Sequence, residues 1–199
     1  MKTLITIINL LVITISVAAQ GQISSSYTEI KKAQFDSCIN TIYLTANTKI
    51  IKKEGILTIP VYGNNPKVFK DDYSDDNFHE FEYIGDIKET NLSLVKHNGY
   101  NKSDYYIVNR STGMIDTLIG IPVFAKNMRD FACINNPGTD EKQHLQICEL
   151  ANGSVKIRAF INGMTDTFFE DIFFIDRNSI ATKDHKGNYW RLNFNISTE

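Results

Sequence analysis

The chain reads as an all-β protein, an antiparallel meander with blade-like (β-propeller-like) repeats, and three observations predict it. Short β-rich runs follow one another from about residue 48 onward; turn residues punctuate them closely; and brief phrases recur along the chain. The runs cover 78–87, 92–95, 105–109, 115–119, 155–161, 168–175 and 189–194. Between them stand His97-Asn98-Gly99, Arg110-Ser111-Thr112-Gly113, Asn152-Gly153, Asn162-Gly163 and Lys186-Gly187-Asn188. Asn-Gly and Ser/Thr-Gly steps supply positive φ at low cost, as tight hairpins require. Strands joined by so few residues pair antiparallel, because parallel pairing needs a crossover of about a dozen residues or more. An open β-sandwich or barrel is the alternative architecture.

The chain opens with Met1-Lys2 and an apolar run from Leu4 to Val17, then Ala18-Ala19-Gln20. A basic start, an apolar core and small residues before the cut describe a signal peptide over residues 1–19, cleaved after Ala19. A membrane-spanning helix needs about 20 apolar residues, and no later run is that long and apolar. The expected product is exported, periplasmic or extracellular, and soluble once the signal is removed. Residues 20–47 form an N-terminal segment and residues 48–199 one β-rich domain. In the segment, Phe35, Cys38, Ile39, Ile42 and Tyr43 recur at helical spacing behind Ser24-Ser25-Ser26, which predicts a helix over about 27–41. The same stretch is rich in β-branched residues, so a strand competes with the helix.

Two phrases echo. Gly113-Met114-Ile115-Asp116-Thr117 returns as Gly163-Met164-Thr165-Asp166-Thr167, and Ile59-Pro60-Val61-Tyr62 as Ile121-Pro122-Val123-Phe124. Periods of this size, with several strands per unit, suit propeller blades. Gly113 and Gly163 are both expected at positive φ in hairpins. The run Phe81 to Asp86, then Asp104 to Gly113, then Pro122-Val123-Phe124, resembles small exported bacterial proteins with propeller-like β-hairpin repeats. That resemblance implies fold and export, and no catalytic residue.

The chemistry is mostly defined by what is missing. With 21 basic against 23 acidic residues there is no electrostatic footprint for nucleic acid. No Gly-x-Ser-x-Gly elbow or phosphate-binding Gly-rich loop occurs. The four histidines, His79, His97, His144 and His185, show no metal-ligand spacing. The acidic stretch Asp71 to Asn77 offers a calcium candidate in Asp72, Asp76 and Glu80. As an EF-hand it fails at Asn77, where Gly is required, and at Tyr83, where a bidentate Glu is required; a solvated loop is the competing reading. Glu170-Asp171 and Asp184-His185 could serve carboxylate chemistry, or simply end strands and build turns.

Cys133 and Cys148 flank a turn from Asn135 to Glu141. In a hairpin centred there they fall opposite one another, as a cross-strand disulfide or as two buried thiols. Tyr100, Tyr105, Tyr189 and Trp190 lie near strand ends and offer an aromatic binding face, with ordinary sheet packing as the alternative. Taken together these residues predict an exported, non-catalytic module that binds a protein or glycan partner. A small hydrolase whose carboxylates meet only on folding, or an envelope inhibitor of the immunity type, are the other readings.

Overall fold

The computed structural model describes residues 23–38, 43–135, 142–164 and 166–196. The signal peptide expected over residues 1–19, and most of the turn from Asn135 to Glu141, lie outside them. Strand β1 (Ile23–Glu29) is followed by a short helix α1 (Lys32–Asp36) and by β2 (Leu44–Thr45). A first sheet is the meander β3 (Lys52–Lys53), β4 (Ile56–Ile59), β5 (Lys67–Lys70). A second runs β6 (His79–Ile87), β7 (Leu92–Gly99), β8 (Ser103–Asn109), β9 (Ile115–Leu118), with β2 added at the β6 edge. The third is β10 (Val123–Phe124), β11 (Asp130–Ile134), β12 (His144–Ala151), β13 (Ser154–Asn162). The fourth is β14 (Phe169–Asp176), β15 (Ser179–Asp184), β16 (Tyr189–Ile196), and β1 completes it along β16. Every strand pair is antiparallel. The chain is therefore an all-β antiparallel meander.

Each sheet packs on the next in chain order. Leu57, Ile59 and Phe69 of the first meet Val95 and Val108 of the second. The opposite face of the second, with Leu94, Ile107 and Leu118, packs on Phe131, Cys133 and Cys148 of the third. The third turns Leu145, Ile147 and Ile161 toward Ile172, Ile180 and Leu192 of the fourth. The inner two sheets are covered on both faces, so Leu92-Ser93-Leu94-Val95 is buried without alternation. Among the described residues the strands close into no barrel, and no buried cluster joins the first sheet to the fourth.

The helix expected over 27–41 is shortened at its start, where Tyr27 to Glu29 belong to β1. Ile23 to Glu29 pair residue by residue with Ile196 to Trp190, and only Lys32–Asp36 is helical. A short isolated helix carries a nucleation cost that a full ladder with β16 avoids. The helix holds through Phe35, whose ring meets Phe173 at 5.1 Å and Tyr189 at 4.9 Å. Ile39 and Ile42 lie outside the described residues.

The sequence echoes do not mark equivalent places. Gly113 sits in the β8–β9 turn, whereas Gly163 follows β13 on the way to the fourth sheet. Gly113 does take the left-handed conformation, with φ +77°, in a turn whose amides at Ser111 and Thr112 donate to Asn109 Oδ1. Gly163 does not take positive φ. Its constraint is proximity, since a Cβ there would stand 2.9 Å from the Gln143 carbonyl oxygen. Gly113→Val and Gly163→Val are each expected to lose about 1–3 kcal/mol, the first through φ and the second through crowding. Urea denaturation midpoints check both, and an unchanged midpoint refutes the corresponding assignment.

The two cysteines are not opposite one another. The register pairs Cys133 with Gln146 and Cys148 with Phe131, two positions away from the expected pairing. A shift of two preserves the face, so both thiols enter the same core, as free cysteines. Diagonal neighbours are about 7–8 Å apart, beyond ordinary disulfide reach.

Candidate binding cleft

Between the second, third and fourth sheets the packing opens into a cleft of about 910 Å³. One rim is the β7–β8 turn. The Gly99 amide donates to the Lys102 carbonyl at 2.8 Å and the Ser103 hydroxyl to Asn98 Oδ1 at 2.9 Å. This tight turn holds Tyr100 outward, 74% exposed. Behind it, Lys96 and Tyr105 are register partners on the sheet face that lines the cleft. Burial, and secondarily the Glu82 carboxylate, pushes the Tyr105 hydroxyl pKa upward, so it remains a donor at neutral pH.

The floor is the crossing from β9 to β10. Gly120 lets this backbone lie against the end of β11, and the Ile119 amide donates to Gln146 Oε1 at 3.2 Å. The far wall is the start of β14. Gln143 pins it by accepting from the Phe169 amide at 2.7 Å and donating to the Phe169 carbonyl at 2.9 Å. Phe168 and His185 are tied reciprocally. The His185 amide donates to the Phe168 carbonyl at 2.8 Å, and the Phe168 amide to His185 Nδ1 at 3.1 Å. Because Nδ1 accepts, a neutral His185 ring carries its proton on Nε2. Phe168 is 43% exposed beside it.

The expected aromatic face is thus divided. Tyr100 and Tyr105 come together in the cleft. Tyr189 and Trp190 belong to β16, where successive side chains take opposite faces. Tyr189 packs on Phe35, while Trp190 packs against the core between the third and fourth sheets and donates to Asp184 Oδ2 at 2.9 Å. Lys96 and Phe168 were not singled out by sequence. Lys96 could have been found by alternation from Leu94, but nothing local marks Phe168, which shares the cleft with residues of three sheets.

Two of the three calcium candidates have other partners, and the third, Asp76, is exposed in the loop before β6. Asp72 accepts from the Ser74 amide at 2.9 Å, an Asx turn that keeps its carboxyl pKa low. Glu80 faces the Lys52 ammonium at 3.7 Å. Among the described residues no three His, Cys, Asp or Glu side chains are grouped to hold a metal ion. His79 and His97, far apart in sequence, do meet through the β6–β7 pairing, with ring centroids 5.8 Å apart. His97 lies 3.2 Å from the Tyr106 hydroxyl and stacks on Phe81, and burial lowers its basicity more than Asp104 raises it.

Of the residues considered for carboxylate chemistry, Glu170 and His185 line the cleft. Glu170 is ion-paired with Lys183 at 2.8 Å and is the single carboxylate among the described lining residues. Asp184 builds the β15–β16 turn instead. Set beside known protein families, curated proteins and solved structures, the chain matches none.

Proposed function

We propose that this is an exported, non-catalytic binding module whose ligand is a glycan held in the cleft between the second, third and fourth sheets. The observation that carries this reading is the cleft's combination of size and lining. Its volume falls within the roughly 300–1,000 Å³ range of small-ligand sites, and Tyr100 and Phe168 present exposed rings beside Asn101, Lys96 and His185. Aromatic faces take the apolar face of a sugar ring, while nearby donors take its hydroxyls. A protein partner would instead use a broad surface of about 800 Å².

A hydrolytic role is less well supported. Glycoside hydrolysis commonly uses two carboxylates about 5–10 Å apart, and Glu170 has no second carboxylate beside it among the described lining residues. Export rests on the signal peptide over residues 1–19, and kinship with small exported bacterial proteins of propeller-like hairpins belongs to the same proposal.

The test is an array of oligosaccharides probed with residues 20–199, followed by titration of the strongest binder. Tyr100→Ala and Phe168→Ala are each expected to weaken that binding about tenfold, the equivalent of one lost ring contact, with recovered saccharide unchanged in length. Wild-type affinity in both variants, or no saccharide retained, overturns the reading. Shortened saccharide overturns its non-catalytic part.

A further inference from the structure

We infer that the cleft selects an acidic saccharide, whose carboxylate is received by Lys96 and Tyr105 while the sugar ring lies against Tyr100 and Phe168. This rests on the glycan-binding reading and adds the ligand's charge to it. The argument is an inventory of what the lining groups have left to offer.

The acceptors are largely spent. Gln143 uses its amide oxygen on the Phe169 amide, and Asn135 uses its amide oxygen on the His144 amide at 2.6 Å. Glu170 is occupied by Lys183. The donors are not spent. Among the described residues Lys96 makes no ion pair or side-chain hydrogen bond, although Glu82 is its register neighbour on β6. The Tyr100 and Tyr105 hydroxyls and the Asn101 amide are likewise without protein partners among the described residues. His185 adds an Nε2 donor, by the tautomer its Nδ1 contact selects.

Charge points the same way. The cleft brings two ammonium groups, Lys96 and Lys102, against one carboxylate that is already paired. Lys102 is shared with Asp104 at 3.5 Å, which leaves Lys96 as the half-buried ammonium of the cleft that makes no ion pair among the described residues, with Glu82 across the strand pair but outside the lining. The chain as a whole carries a formal charge of −2, so this local excess opposes the global balance. A partly desolvated ammonium beside a phenol donor gains most from a ligand carboxylate, because charge-assisted hydrogen bonds are about twice as strong as neutral ones.

The experiment compares neutral with uronate- and sialate-containing oligosaccharides on one array, with a hexaglutamate peptide included. Binders are then titrated in low and high salt against wild type and Lys96→Met, which keeps the apolar stem. The expected result is preference for an acidic saccharide, about tenfold loss of that affinity in Lys96→Met, and weakening of wild-type binding by salt. Neutral saccharide binding is expected to be insensitive to salt and to lose less than the acidic saccharide in Lys96→Met, where only a neutral hydrogen bond is removed. Equal binding of neutral and acidic saccharides, insensitive to salt, overturns this inference and leaves glycan binding standing. Retention of hexaglutamate above every saccharide overturns the saccharide assignment. No retention at all overturns both this inference and the function it rests on.

Discussion

Gly120→Ala is expected to lose at least about 3 kcal/mol of folding stability, or to prevent folding. A Cβ at this position would lie 1.8 Å from the Ile134 carbonyl oxygen and 2.8 Å from its carbonyl carbon. Neither atom is the free end of a side chain; both are backbone at the end of β11. Relief therefore requires the β9–β10 crossing or the β11 end to move by more than 1 Å. Forced overpacking commonly costs about 1–3 kcal/mol, and more when the backbone must shift. Because Gly120 is buried beneath the cleft floor, any folded fraction should also lose saccharide affinity. Denaturant unfolding and the saccharide titration read the two effects separately, and a wild-type midpoint would refute the close approach.

The second large effect is expected at Asp184, which is 1% exposed. Its Oδ1 accepts from the Lys186 amide at 2.9 Å and the Asn188 amide at 2.8 Å. Its Oδ2 accepts from the Asn188 side chain at 3.1 Å and the Trp190 indole at 2.9 Å. Asp184→Ala leaves several of these donors without an acceptor in a buried turn, a loss of about 2–4 kcal/mol. Burial alone would raise this carboxyl's pKa, but the four donors prevail and hold it at about 2. A depressed folded-state pKa stabilises the fold above the unfolded value near 4, and that contribution disappears as pH falls toward 2. The stability gap between wild type and Asp184→Asn should accordingly be constant above pH 5 and narrow between about pH 4 and pH 2. A gap independent of pH would show that the carboxylate is not held by these donors.

Much of this architecture can be read from the chain. The turn signal at His97-Asn98-Gly99 announces the β7–β8 hairpin, although these three residues still pair with β6 at the end of β7 and the turn itself falls at residues 100–102, where Tyr100 protrudes. Alternation along β8 then places Tyr105 on one face and Tyr106 on the other. At the N-terminal segment the same kind of reading holds only in part. Helical spacing around Phe35 does mark α1, but the helix is shorter than expected, because a partner strand more than 160 residues away takes the residues up to Glu29 into β1. The cysteine register shows a finer limit. Side-chain period two makes the shared face of Cys133 and Cys148 legible, but a slip of two residues leaves every face unchanged and separates the thiols.

Local rules thus account for the strands, the turns and the antiparallel order, because alternation, positive-φ glycines and Asx turns act within a few residues. The cleft belongs to another level. Lys96 and Tyr105 come from the second sheet, Gly120 from the crossing to the third, and Phe168 with His185 from the fourth. What brings them together is the sequential packing of sheets through shared apolar cores, and that attraction depends on buried area without regard to sequence separation. For this reason composition and pattern predict a meander, while only the packed sheets decide which of its polar and aromatic groups face one ligand.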